Sequence, residues 1–350
     1  MPHRTAQASM MATEADVRAA YRLLFGREAD PGGWTHHAAL VGEGIVTTTD
    51  LADMFFRSAE FRSAVGRVVI PTGSAPPDSP PPLACQPCTK RQIETPNFRY
   101  WAARLGLRPG GLHRKAWEWC YIVQALYERG MLRPGRKGLG FAVGQEPLTS
   151  LFVGMGCEVT ATDLDFQHAL DEGWVDGKQH AANLEQLNTH GLCAPELFAA
   201  NARFRVADMR DIPSELDGFD FLWSSCALEH LGSLRHGMDF VLNAMACLRP
   251  GGIAVHTTEL NVDSDSTTLE TGHDVIYRQR DLRELDAELR RAGHHVEPLT
   301  FDVGDSDADR YVDDPPYTGK IHLKLRIGGF ASTSFGIIVS KNHGRGSPGC

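Results

Sequence analysis

The segment Lys137-Gly-Leu-Gly-Phe-Ala-Val-Gly-Gln-Glu-Pro147 runs into a short apolar helix pattern and then into Glu158-Val-Thr-Ala-Thr-Asp163. Strand, tight turn, helix, second strand and acid, in that order, make a cradle for a nucleoside-bearing cofactor. Backbone N–H groups in the turn approach the ligand, and a carboxylate about twenty residues on accepts from ribose hydroxyls. Asp163 stands where that carboxylate belongs. Two registers compete for the turn. With Gly138 and Gly140 in it, the preceding strand would be Met131-Leu-Arg-Pro-Gly-Arg-Lys137, whose proline, glycine and three cations suit no buried strand. With the strand at Gly138 to Ala142, the turn is Val143 to Glu146 and Pro147 falls at the first helical position, where its missing N–H does no harm. Gly154 and Gly156 then end the helix. The second register is preferred.

Further pieces follow in order. Phe204-Arg-Val-Ala-Asp-Met209 reads as a strand ending in an acid, and Phe219-Asp-Phe-Leu-Trp-Ser-Ser225 as a strand opening into Cys226-Ala-Leu-Glu-His-Leu231. Met238 to Leu248 carries apolar residues at helical spacing; Arg249-Pro-Gly-Gly252 breaks the helix, and Ile253-Ala-Val-His-Thr-Thr258 supplies a fifth strand. Arg280 to Arg291 is an amphipathic helix stopped by Gly293. Two strands follow, His295 to Val303 and Ile321 to Lys341, the latter interrupted around Gly328 and Gly329.

This ordered set resembles the class I S-adenosylmethionine-dependent methyltransferases, and the leucine, Arg-Pro-Gly-Gly and apolar strand succession is its most specific part. The resemblance implies an α/β, Rossmann-like seven-stranded sheet, parallel with an antiparallel last strand, and S-adenosyl-L-methionine as cofactor. It implies that Asp163 grips the ribose, that Asp208 and Met209 meet the adenine, and that Ser225 joins the cofactor site from the end of the fourth strand. The chain departs from the pattern at the turn. Gly140 sits where an acid usually ends the first strand, Ala142 at the first glycine and Glu146 at the third; only Gly144 is retained. Two roles are open for Glu146: it replaces the missing acid and binds the ammonium of the cofactor's methionine moiety, or it complements the helix dipole.

At 350 residues, with a hydrophobic fraction of 42%, the chain has material for one large domain and a small one. The formal charge of −9 is spread along it, which speaks against a nucleic-acid partner. No apolar run reaches membrane-spanning length and the N-terminus lacks a signal-peptide core, so a cytoplasmic protein without a membrane span is expected. Six of the eight cysteines stand alone; Cys85-Gln-Pro-Cys88 has half the spacing of a zinc site but no second pair, and no metal is expected.

Five regions are expected: a small helical module over 11–68, a Pro-rich linker over 69–89, lid helices over 90–133, the methyltransferase domain over 134–341 and a frayed tail over 342–350. The linker reading rests on PTGSAPPDSPPP at Pro71 to Pro82. The front module's Tyr21-Arg-Leu-Leu-Phe-Gly-Arg-Glu-Ala-Asp-Pro-Gly-Gly-Trp34, with Phe55-Phe-Arg-Ser-Ala-Glu-Phe61, resembles bacterial helical modules related to phycobilisome linkers. Such modules accompany glycan-handling proteins, which implies a docking role toward a protein partner.

Transfer of a methyl group to a neutral hydroxyl needs proximity and a base. His230, just beyond the fourth strand, is read as that base or as an acceptor-positioning group, or as a local helix cap. Lys115 and Glu118 are candidates for the acceptor's polar groups; Trp117 either packs in the core or touches the acceptor, and Tyr317 of Asp314-Pro-Pro-Tyr317 borders the acceptor site. The expected function is O-methylation of a sugar, glycan precursor or other small molecule. Two alternatives stand beside it, a catalytically inactive scaffold acting through the helical module and an NAD(P)-dependent oxidoreductase.

Overall fold

In the computed structural model, which describes residues 11–25, 27–42, 46–57, 76–77, 82–171, 174 and 179–342, the chain divides into two units, 1–74 and 75–350. In the first, α1 (Glu14–Phe25), α2 (Pro31–Gly42) and α3 (Thr48–Arg57) enclose a small core of Val17, Tyr21, Val41, Val46, Leu51 and Phe55. Two helix starts are fixed reciprocally. Thr13 Oγ1 accepts from Asp16 N while Asp16 Oδ2 accepts from Thr13 N, and Thr47 and Asp50 repeat the exchange. Most of the expected Pro-rich linker, the segment around Phe61 and residues 343–350 lie outside the described residues.

In the second unit, β1 (Gln86–Pro87), β2 (Lys137–Phe141), β3 (Glu158–Asp163), β4 (Ala202–Val206), β5 (Phe219–Ser225), β6 (Leu248–Asn261), β7 (His295–Val296), β8 (Lys324–Ile327) and β9 (Phe330–Ser340) form one sheet. Its main path is β1-β9-β6-β5-β2-β3-β4, with β7 and β8 also paired to β9. Strands β2 to β6 are parallel, and β9 runs antiparallel to β6 from Ile253 opposite Ser340 to Asn261 opposite Ser332. From β2 the chain moves outward to β3 and β4, then crosses back to β5 and β6. Strand order therefore reverses between β2 and β5, and an open α/β sheet holds its ligand outside the carboxyl ends of such a pair.

Two glycines in a central strand require a reason. A Cβ on Gly138 would run into the ring of Phe221, and one on Gly140 into Trp223, so large rings on β5 fill the space that side chains on β2 leave. The strand begins at Lys137, after the Pro134-Gly135 turn, as the preferred register requires.

The sequence-based expectations need correction at three places. The strand expected over His295 to Val303 is only the two residues of β7, because Pro298 offers no N–H; beyond it the chain pairs with Cys85, whose N donates to Pro298 O at 3.0 Å and whose O accepts from Thr300 N at 2.9 Å. The strand expected over Ile321 to Lys341 starts later, at Lys324, and its expected interruption is the turn of a β8–β9 hairpin at Gly328 and Gly329, with φ of +53° and +93°. The last residues of the expected linker are sheet and core, with β1 paired to β9 and Cys85 and Cys88 both buried.

Helices α4 (Lys90–Ile93), α5 (Pro96–Arg104) and α6 (Arg114–Glu128) precede β2. His113 caps α6 by accepting from Lys115 N, and the helix buries Trp117, Glu118, Tyr121 and half of its remaining residues. Helices α7 (Leu148–Gly154), α8 (Phe166–Asp171), α9 (Pro195–Asn201), α10 (Leu234–Ala244), α11 (Gln279–Arg291) and α12 (Asp307–Arg310) complete the unit. Among the described residues no helix is long and apolar enough to cross a membrane.

Candidate active site

A cavity of about 480 Å³ opens at the carboxyl ends of β2, β3, β4 and β5, where strand order reverses. The turn after β2 contributes Ala142 to Glu146 to its wall. Ala142 has φ of +47° and Gly144 φ of +51°. The usual preference for glycine at both positions thus reflects a left-handed backbone, and Ala142 adopts it at a cost of roughly 1–2 kcal/mol. Gly144 also has the Gln179 carbonyl pressed against the place a Cβ would occupy.

One side of the cavity is acidic. Asp163, at the tip of β3, accepts through Oδ2 from Gly144 N at 3.0 Å and Ala181 N at 3.1 Å, and through Oδ1 from Leu164 N at 2.9 Å. A carboxylate offers about four lone-pair positions, so about one is left for a ligand. Burial raises the Asp163 pKa against the pull of those donors. Segment 179–181 is laid across the turn by Gln145 Nε2 donating to His180 O at 3.2 Å and by a 2.8 Å contact of His180 Nε2 with Leu164 O. Asp208 is held by Arg210, whose Nη2 lies 2.9 Å from Oδ2; burial opposes ionisation there, but Arg210 keeps the carboxyl below its ordinary range.

Glu146 is buried and accepts from Trp223 Nε1 at 2.6 Å. The indole that fills the space over Gly140 therefore also positions Glu146, so the acid missing from β2 and the acid present in the turn are linked through one side chain. Burial pushes the Glu146 carboxyl up to about 8, against the lowering effect of Trp223 and the nearby Lys115 charge.

The cavity is also lined by His230, Ala227, Leu231, Cys226 and Ser225, and by Lys115 and Trp119, which both act on Glu146. Cys226 turns the chain at the end of β5 with φ of +47°. His230 Nδ1 lies 3.1 Å from Asp274 Oδ1 and 3.1 Å from the His273 carbonyl, and Trp174 packs edge-on against the ring at 4.6 Å. Burial lowers the His230 pKa, but Asp274, Glu229 and the His273 carbonyl outweigh it and leave a net rise. Behind this wall Lys115 Nζ pairs with Glu118 Oε2 at 2.7 Å, Ser334 Oγ donates to Glu118 Oε1 at 2.6 Å, and Arg114 pairs with Glu259. Among the described residues, two groups bring possible metal-binding atoms within 4.8 Å of one another: His230, His273 and Asp274, and Cys226, Glu229 and Glu259. Hydrogen bonding to Asp274 accounts for the first, and in the second Arg114 already occupies Glu259.

The structure brings Ala142, Gly144, Glu146, Asp163, Asp208, Met209, Ser225, His230 and Lys115 together on one cavity wall or another. Trp117, Glu118 and Tyr317 do not line it. Trp117 is buried against Tyr121 at 4.8 Å and donates to Gln92 Oε1 at 2.8 Å; Glu118 lies behind Lys115; Tyr317 donates its hydroxyl to Arg326 O at 2.8 Å. His256, within β6, is fully buried 2.8 Å from Ser224 Oγ. Sequence reasoning missed Trp119, Gln179 and Trp174 in the wall and Asp274 behind His230. Only Trp119 had a signal, lying four residues from Lys115 on a helix.

Residues 139–256 match a protein-family model described as a methyltransferase domain. Solved structures with a similar course include an S-adenosylmethionine-dependent methyltransferase from Mesorhizobium loti, 13% identical, covering 62% of this chain and 96% of that one at a TM-score of 0.40. Phosphoethanolamine N-methyltransferase 2 of Haemonchus contortus, in complex with S-adenosyl-L-methionine, is 14% identical, covering 70% and 60% at a TM-score of 0.41. Magnesium protoporphyrin IX methyltransferase of Synechocystis PCC 6803, with bound SAH, is 9% identical, covering 84% and 99% at a TM-score of 0.40. No curated protein matches the chain. The chain thus carries a methyltransferase domain, and its cofactor is S-adenosylmethionine. The residues present fit that group: an acid able to accept from the ribose and a second able to meet an ammonium line one cavity with the turn after β2.

Proposed function

We propose that the protein is an S-adenosylmethionine-dependent O-methyltransferase acting on a hydroxyl of a sugar, glycan precursor or comparable small molecule. The observation that carries this reading is that one cavity is lined by Asp163, Asp208 and Glu146 and also by His230, which is held by Asp274. The cofactor, when bound, supplies an electrophilic methyl group. Asp163 accepts from the ribose, Glu146 faces the methionyl ammonium, and Ala227 and Leu231 keep water from the reacting side. With its Nδ1–H directed to Asp274, His230 keeps a lone pair on Nε2 and can take the acceptor's hydroxyl proton, while Asp274 stabilises the imidazolium that results. In-line displacement from a sulfonium needs little more than this alignment and a base.

The glycan assignment rests on the front module's sequence. That module, 11–68, is read as a docking piece for a protein partner that precedes the Pro-rich segment, and the lid helices over 90–133 as part of the catalytic domain ahead of its methyltransferase portion at 134–341. The enzyme is read as cytoplasmic, and the spread of its charge speaks against a nucleic-acid partner. The test of the whole reading is methyl incorporation from labelled cofactor into glycan-precursor extracts. His230→Gln should lower turnover at saturating acceptor by roughly a hundredfold, the ordinary worth of a general base. Turnover within a few fold of wild type would remove the base assignment.

A further inference from the structure

Glu146, Trp119 and Lys115 line the same cavity and offer mixed chemistry, an acid beside two donors. Lys115 and Trp119 stand four residues apart on α6 and so share a helix face. Lys115 Nζ lies 2.7 Å from Glu118 Oε2, and that oxygen accepts from Ser225 Oγ at 3.3 Å. Ser225 follows Ser224, which pairs with Phe141 at the end of β2, so the ammonium is fixed beside the turn and its charge is felt at Glu146. The Trp119 indole N–H is buried without a hydrogen-bond partner, yet near enough to Glu146 to favour its ionised form. A buried donor left in this state points to a ligand atom that completes it.

An α-amino acid head group carries ammonium and carboxylate on one carbon. A site for it must set an acid and anion-binding donors side by side, as Glu146, Lys115 and Trp119 are set. We propose that Lys115 Nζ and Trp119 Nε1 bind the α-carboxylate of the cofactor's methionyl group while Glu146 holds its ammonium; this rests on the reading of the cavity as an S-adenosylmethionine site. Lys115 then serves the cofactor and not the acceptor, to which its sequence position had assigned it. Burial works against its charge, but Glu118 holds it protonated. Arg114 and Lys115 balance Glu118 and Glu259, and a zwitterionic head group adds no net charge to them.

Calorimetric titration of the full chain with S-adenosylmethionine, its decarboxylated analogue and adenosine tests this. Wild type should bind S-adenosylmethionine on the order of tenfold tighter than the analogue, the worth of a hydrogen bond to a charged group. Lys115→Met and the nearly isosteric Trp119→Phe should each shrink that ratio severalfold while binding the analogue and adenosine as wild type does. An unchanged ratio, or equal losses for both adenosyl compounds, overturns the proposal. Failure of wild type to bind any of the three overturns the cofactor reading itself, and this inference with it.

Discussion

Replacing Glu146 by glutamine should make the protein more stable and its cofactor binding weaker. The wild-type carboxyl is pushed from 4.5 up to about 8 by burial, against the hydrogen bond from Trp223. The folded chain therefore keeps a proton that the unfolded chain releases between those values. Because the native state binds more protons in that window, stability falls as pH rises through it. The difference amounts to about 3 kcal/mol at pH 7 and about 5 kcal/mol above pH 8. Glutamine keeps the shape and an acceptor oxygen for Trp223 but cannot ionise. Urea titrations followed by tryptophan fluorescence should then show Glu146→Gln more stable by about 3 kcal/mol at pH 7 and equal to wild type near pH 4. The ammonium reading adds that wild-type affinity for S-adenosylmethionine rises with pH toward 8 as Glu146 ionises, whereas the variant binds weakly at every pH. Parallel stability curves for the two proteins would refute the argument, since they would mean that Glu146 ionises as freely folded as unfolded.

Three other outcomes follow from the same geometry. Asp274→Asn removes the carboxylate charge that helps raise the His230 pKa, so the rising limb of the kcat/KM profile should move to lower pH as turnover falls; an unmoved limb would assign it to another group. Asp163→Asn turns one acceptor oxygen into a donor facing backbone N–H groups, and should cost about 1–3 kcal/mol in thermal unfolding experiments and abolish cofactor binding in calorimetry. Ala142→Gly relieves a left-handed alanine at φ +47° but adds unfolded-state freedom of about 0.5–1 kcal/mol, so Tm should hold or rise slightly; a clear fall would show that the Ala142 methyl packs usefully.

Much of this site could be read from the sequence because it is built at strand ends. Asp163, Asp208, Ser225 and His230 each sit a fixed step beyond a recognisable apolar run, and a parallel sheet brings such ends together whatever the loops do. The turn register was legible because a segment with a proline, a glycine and three cations makes a poor buried strand. What escaped is what no local pattern encodes. Asp274 reaches His230 across 44 positions, and Trp223 serves Glu146 across 77. The inward-facing Glu118 looked like an accessible acid because charge alone does not reveal that Lys115 and Ser334 cover it. The strand expected over His295 to Val303 stops at β7 because Pro298, inside that range, has no N–H for the ladder.

The amide of Ala181 takes the oxygen of Asp163 that a second sugar hydroxyl would need. On the proposed reading the nucleoside is therefore grasped by a single hydroxyl, and the two monodeoxy forms of adenosine are unequal ligands. Stripping one position leaves affinity where it was, while stripping the other forfeits the contact altogether. Selectivity among nucleosides in this protein is then set by a backbone amide from a crossing segment as much as by the acid itself.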